Sequence, residues 1–118
     1  MADDRSKDSA PTAGVSGPME SELASIAFLA RSLGDENRLR ILLCLGEEKK
    51  AVGSIVQELN LSQPLVSHHL KELKRSLLVK IERSGPFVYY QLADPSILRI
   101  MGALDLLARE LLTRRTSF

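Results

Sequence analysis

A single cysteine, Cys44, and two histidines, His68 and His69, are all that 118 residues contain of the residues that usually carry redox and metal chemistry. A lone thiol cannot form an internal disulfide, which agrees with a reducing compartment. No Cys/His pattern has the spacing of a zinc site, no glycine-rich loop is present to cradle a phosphate, and no nucleophile stands beside a base. An enzyme is therefore not expected, and neither is a cofactor. No apolar run approaches the ~20 residues of a membrane span, and the first residues, MADDRSKDSAPTAGVSGP, lack the apolar centre of a secretory signal. The expectation is a cytoplasmic chain without a membrane partner. Excess charge is also missing: the formal net charge is +1, so a polyanionic partner would require basic residues concentrated on one surface.

What is there fits one small domain, with 44% hydrophobic and 26% charged residues. Residues 1–18, rich in Ser, Asp, Ala, Gly and Pro, read as a disordered tail, and residues 19–118 as the folded domain. From Met19, apolar Leu23, Ile26, Ala27, Ala30 and Leu33 recur at helical spacing, and Gly34 is expected to end the run in the left-handed conformation. Asp35 can cap a second helix, ENRLRILLCLG, apolar enough to cross the core. In AVGSIVQELN, residues Val52, Ile55, Val56 and Leu59 share one side of a short third helix that stops at Asn60. Ser62 caps a fourth helix with Pro64 in its first turn, where a missing N–H is harmless. Alternation in LVKIERSGPFVYYQL predicts a β-hairpin with a four-residue turn, Arg83 to Pro86. Asp94 and Pro95 start a final helix of ~18 residues with an apolar stripe of Ile97, Ile100, Met101, Leu104, Leu107 and Leu111. The fold class is mainly α with a β-hairpin.

The histidines sit together in SQPLVSHHLKEL, yet adjacent helical residues diverge by about 100° and cannot chelate one ion; chelation needs i and i+4. With Val66, Leu70, Leu73 and Leu77 as the buried stripe, His68, Lys71 and Arg75 fall on the opposite face with Ser67 and Lys74 at its margin, and His69 lies beside the stripe at the core edge. Most charged helix faces are merely solvated. Here the face opens with Ser62 and Gln63 at a helix N-terminus, which suits phosphate or base edges. Between Ser67 and Arg83 the basic Lys71, Lys74, Arg75, Lys80 and Arg83 outnumber the acidic Glu72 and Glu82 by three. A short helix, a tight turn, a capped helix and a hairpin form the helix-turn-helix plus wing arrangement, in which the second helix enters the major groove of DNA.

LGDENRLRILLCL, LSQPLVSHHLKELK and VYYQL carry a resemblance to the ArsR/SmtB family of bacterial winged helix-turn-helix repressors, over nearly all of residues 20–112. The resemblance implies a transcriptional repressor that binds double-stranded operator DNA as a homodimer. Its interface would be formed by the first and last helices through Leu23, Ile26, Ala30, Ile97, Met101, Leu104, Leu107 and Leu111. Carried over by position, Ser62, Gln63, Ser67 and His68 approach base edges; Lys71, Lys74 and Arg75 meet phosphates; Arg83, Ser84 and Gly85 form the wing tip; and Arg38 reaches the backbone, with Arg40 beside it, unless either is tied into a surface ion pair. The chain departs from the family at Leu77, where glycine usually ends the recognition helix, and at Pro86, where a basic residue is common. The long Ile/Leu/Met stripe of the last helix independently suits a partner subunit, though packing on helices one and two would use it as well.

Metal-sensing relatives hold cysteines where this chain has Ala51 and Gly53, and another family site needs histidine on the last helix, which has none. Asp94, Asp105 and Glu110 alone would make a poor transition-metal site. No metal is expected. Cys44 lies in an apolar run and reads as a buried core residue, although a thiol-responsive regulator using Cys44 stays open. The effector would then be an organic small-molecule ligand, a partner protein, an oxidant or none. The competing class is a winged-helix protein-docking module that does not bind DNA.

Overall fold

The computed structural model describes residues 20–115; the expected 1–18 tail lies outside them. Five helices and one hairpin follow in the order α1 Glu20–Ser32, α2 Glu36–Leu45, α3 Val52–Leu59, α4 Gln63–Arg75, β1 Val79–Ser84, β2 Phe87–Leu92 and α5 Ser96–Arg115. Backbone contacts divide the chain into two units, Met1–Ala30 and Arg31–Phe118. Within the first, residues 20–30 form the greater part of α1, and every side chain there is exposed.

The second unit shows why its local sequences stop and start where they do. The Asp35 carboxylate accepts the N–H groups of Asn37 and Arg38 at 2.9 and 3.1 Å and so caps α2, while Gly46 closes it with φ 54°. Asn60 ends α3 in the left-handed conformation, and the Ser62 hydroxyl accepts the Leu65 N–H to begin α4. Asp94 does the same for α5 by accepting the Ser96 N–H at 2.8 Å. The core is the meeting of Ile41, Leu42 and Leu45 of α2, Ile55 of α3 and Val66, Leu70 and Leu73 of α4, closed by Leu78, Val79, Leu92 and Ile97. Removing a fully buried member such as Leu70 to alanine costs about 2–5 kcal/mol.

Several expectations need correction. Gly34 is not among the described residues with positive φ; its N–H bonds the Arg31 carbonyl in a tight turn, so the end of α1 requires no left-handed residue. Leu77 does not continue the buried stripe of α4. It is 74% exposed with φ 68°, at the position following the C-cap of α4. Around it the Leu78 N–H bonds the Leu73 carbonyl at 2.9 Å and the Leu77 N–H bonds the Lys74 carbonyl at 3.0 Å, a Schellman motif completed by the buried pair Leu73 and Leu78. The turn geometry is thus the one glycine would make, built on leucine. His69, expected at the core edge, belongs to the stripe itself at 5% exposure. Cys44 is half-buried rather than enclosed.

The hairpin turn is shorter than expected. Arg83 and Ser84 belong to β1, paired with Val88 and Phe87, so that only Gly85 and Pro86 connect the strands. Gly85 has φ 60° and the proline ring fixes its own φ near −65°, the sign pattern of a type II′ turn that matches strand twist. The loop after α2 also hides a strand-like contact: Lys50 pairs antiparallel with Tyr90 of β2. Ile97, expected at the dimer interface, is instead a core residue at 6% exposure, and Met101 packs against that core, because the first turns of α5 lie on the domain; from Gly102 to Arg115 every side chain of α5 is exposed.

Candidate nucleic-acid interface

The four buried side chains of α4, Val66, His69, Leu70 and Leu73, orient the helix so that Gln63, Ser67, His68, Lys71, Lys74 and Arg75 are all exposed. Six of the residues expected on one face of the helix are thereby brought to solvent together. Ser62 is exposed as well, with its hydroxyl engaged in the cap. The face is not purely basic, because Arg75 Nη1 lies 3.2 Å from Glu72 Oε2. Glu72 therefore offsets part of the local positive charge.

His69 anchors this helix from behind. Its Nε2 lies 3.7 Å from Asp35 Oδ1, its Nδ1 has no hydrogen-bond partner, and its ring stands 5.1 Å from that of His68. Burial pushes its pKa below the ordinary imidazole value, against the attraction of the Asp35 carboxylate. Asp35 is in turn held below the usual carboxylate range, chiefly by the Arg38 N–H bonded to it. A second buried contact fixes the far end of α4. Ser76 Oγ donates to the Leu73 carbonyl at 3.1 Å, which leaves the Ser32 hydroxyl to donate to Ser76 at 2.8 Å.

Arg38, expected at the DNA backbone, is turned the other way. Its Nε donates to the Ser32 carbonyl at 2.7 Å and its Nη2 to the Arg31 carbonyl at 3.2 Å, so the guanidinium satisfies carbonyls at the end of α1. Arg40 bonds Asn37 and pairs with Glu36 on its own helix. In the wing, Arg83, Ser84 and Gly85 are exposed, but the register places Arg83 on the face that runs inward through Ile81 and Val79, and Ser84 on the opposite face with Glu82 and Lys80. They cannot both meet one groove wall in the same way.

Phe87 and Lys49 also stand at the wing, and neither is singled out by the sequence. Phe87 is 59% exposed beside the turn, 6.3 Å from the Tyr89 ring, and Lys49 pairs with Glu82 at 2.6 Å while standing 5.3 Å over Tyr89. Alternation along β2 would have revealed the first; the second depends on a contact between residues 33 apart in sequence.

Among the described residues no group of three or more His, Cys, Asp and Glu could hold a metal ion. The Cys44 thiol is pushed up by burial and by the Glu58 carboxylate, and so stays protonated near neutral pH. Among the described residues no helix is long and apolar enough to cross a membrane.

Comparison with known proteins accounts for the arrangement. The family description "Bacterial regulatory protein, arsR family" matches residues 35–80, from the cap of α2 into β1. Nodulation protein NolR of Rhizobium meliloti is 37% identical over 90 residues, covering 75% of this chain and 73% of that protein. The chain belongs to the ArsR family. A further relative, the HTH-type transcriptional repressor SmtB of Mycobacterium tuberculosis, is 41% identical over 84 residues; the match takes in 71% of this ArsR-family chain and 62%, just under two thirds, of the repressor. Among solved structures, the homodimeric winged helix-turn-helix DNA-binding domain from Mycobacterium bovis superimposes with a TM-score of 0.69 at 26% identity, over 85% of this chain and 95% of that one. The fold is the winged helix-turn-helix, with α3 and α4 as its helix pair and β1–β2 as its wing. The family is one of regulatory proteins, not enzymes.

Proposed function

We propose that this ArsR-family chain is a cytoplasmic, sequence-specific repressor of transcription that binds double-stranded operator DNA as a homodimer. The observation that carries the reading is the exposed polar and basic face of α4 backed by four buried side chains, because a rigidly seated helix can present Gln63, Ser67 and His68 to base edges while Lys71, Lys74 and Arg75 meet phosphates. The wing tip, Arg83 to Gly85, meets the flanking backbone. Arg38 is left out of this set, since its donors serve the chain's own carbonyls.

Dimerisation is supported by two apolar surfaces, each considered by itself. On α1, Leu23 and Ile26 are exposed; on α5, Leu104, Leu107 and Leu111 are each about half exposed along one stripe. Exposed leucines at helical spacing are the usual mark of a helix that packs on a partner, and the Mycobacterium bovis neighbour is homodimeric. At the start of α3 Ala51 and Gly53 offer no ligand atoms, so a transition-metal effector does not act at that position.

The test is titration of the protein against duplexes enriched from a random pool, at several salt concentrations. A specific site should emerge, with affinity falling steeply as salt rises. A chain that folds and dimerises yet enriches no sequence would instead be a protein-docking module.

A further inference from the structure

Lys49 and Lys50 occupy the connection between α2 and α3, a stretch that the sequence alone presents as a solvated charged loop. The structure gives it a different character. Lys50 N–H donates to the Tyr90 carbonyl at 2.9 Å and Tyr90 N–H donates to the Lys50 carbonyl at 2.8 Å, so residue 50 forms a one-residue third strand beside β2. Its side chain, only 14% exposed, reaches Glu58 Oε1 of α3 at 2.7 Å and the Cys44 sulfur of α2 at 3.8 Å. The neighbouring Lys49 reaches Glu82 of β1 and lies over the Tyr89 ring of β2. One dipeptide thus touches α2, α3 and both strands of the wing.

We infer that Lys50, held by Glu58, is a positioning residue that sets the angle of the wing against the helix-turn-helix, and so where the wing meets DNA beside α4. The inference rests on the DNA-binding reading above. A two-stranded hairpin is barely stable by itself and takes its direction from what it packs on. Here Val79 and Leu92 root the hairpin in the core, but the wing beyond Ile81 and Tyr90 is only half-buried or exposed. Gly85 lies five residues beyond Tyr90, about 16 Å at strand rise, so a tilt of about 10° at Tyr90 would move the tip by roughly 3 Å, the difference between making and losing a phosphate contact. The Lys50 backbone bonds sit at this fulcrum, and its side chain fastens the fulcrum to the first helix of the helix pair. The contact holds both partners charged: Glu58 raises the Lys50 pKa, and Lys50 lowers that of Glu58. The protonated thiol of Cys44 adds a weak S–H contact to the same carboxylate oxygen at 3.5 Å.

The test uses the full chain with Glu58→Gln, Lys50→Met and the charge swap Lys50→Glu with Glu58→Lys, all checked for cooperative unfolding. In the free protein, amide exchange at Tyr90 should accelerate about threefold or more in either single variant and return toward wild type in the swap. On a duplex of roughly 30 base pairs enriched by the wild type, hydroxyl-radical footprinting should show central protection retained and flanking protection weakened in the single variants, with the flanks restored in the swap. Unchanged exchange at Tyr90, unchanged flanks, or loss of central and flanking protection in equal measure would each overturn the inference while leaving DNA binding standing. If the wild type enriches no sequence, the DNA-binding reading falls, and the exchange data alone decide whether Glu58 and Lys50 hold the wing.

Discussion

His69 Nε2 lies 3.7 Å from the Asp35 carboxylate that caps α2, so one buried imidazole sets the helix proposed to read DNA beside the start of the helix that crosses the core. Its surroundings oppose a second proton. Burial dominates, with the positive charge of Arg38 and the nearby His68 acting in the same direction; Asp35 and Glu72 act against them.

The consequence is a pH dependence of stability with a definite sign. Because the folded-state pKa of His69 is below its ordinary 6.5, the unfolded chain takes up a proton first as pH falls through that value. The stability this group contributes is complete above 6.5 and is lost as pH falls toward the folded pKa, at no more than about 1.4 kcal/mol per pH unit. Asp35, Glu58 and Asp94 are lowered from starting values of 4.5 or less and act in a more acidic window. Urea unfolding at about pH 7.5 and about pH 5.5 should therefore show a drop in wild type that is smaller in His69→Gln. Equal drops in the two proteins would remove His69 as the cause.

Leu77 is a point of backbone strain, with φ 68° and a side chain 74% exposed. Leu77→Gly should raise stability by about 1 kcal/mol, because relief of left-handed strain exceeds the entropy that glycine adds to the unfolded chain. Leu77→Val, β-branched at the same φ, should lower it by a similar amount. Thermal unfolding of the two variants decides the matter; a destabilised Leu77→Gly would show that the leucine makes a contact worth more than its strain.

Substitutions on the exposed face of α4 should separate into two kinds. Lys74→Ala and Arg75→Ala are expected to weaken binding to all duplexes alike and to reduce the salt slope by about 1 each, whereas Gln63→Ala and His68→Ala should change which bases are preferred, by about 1–3 kcal/mol. Glu72→Gln, which releases Arg75 from its 3.2 Å partner, should tighten non-specific binding about twofold. Equal losses on specific and random DNA in all of these variants would refute the assignment of roles.

The dimer is open to a direct test at Leu104, about half exposed in the stripe of α5. Leu104→Glu should sediment as a folded monomer at micromolar protein while the wild type sediments as a dimer, since a carboxylate cannot be left unpaired in an apolar interface. A wild-type monomer under these conditions would refute the proposal.

Local chemistry makes most of the fold legible in the sequence. Asp35, Ser62 and Asp94 each announce a helix start through a side-chain oxygen that accepts a backbone N–H, Gly46 and Asn60 announce ends, and the change from helical to alternating periodicity after Leu77 announces the wing. These signals depend on residues only a few positions apart, so they survive in the linear sequence. The exposed face of α4 was legible for the same reason, since helical periodicity alone separates Val66, Leu70 and Leu73 from His68, Lys71 and Arg75.

Tertiary structure decided what depends on distant neighbours. It took Arg38 away from the proposed DNA surface and gave it to the carbonyls of Arg31 and Ser32. It also turned the charged loop at Lys49 and Lys50 into a clamp on the wing, through contacts to Glu58, Glu82 and Tyr90 that no spacing rule announces. Long flexible side chains such as these choose among partners by proximity, and proximity between residues 33 or 40 positions apart exists only once the chain has folded.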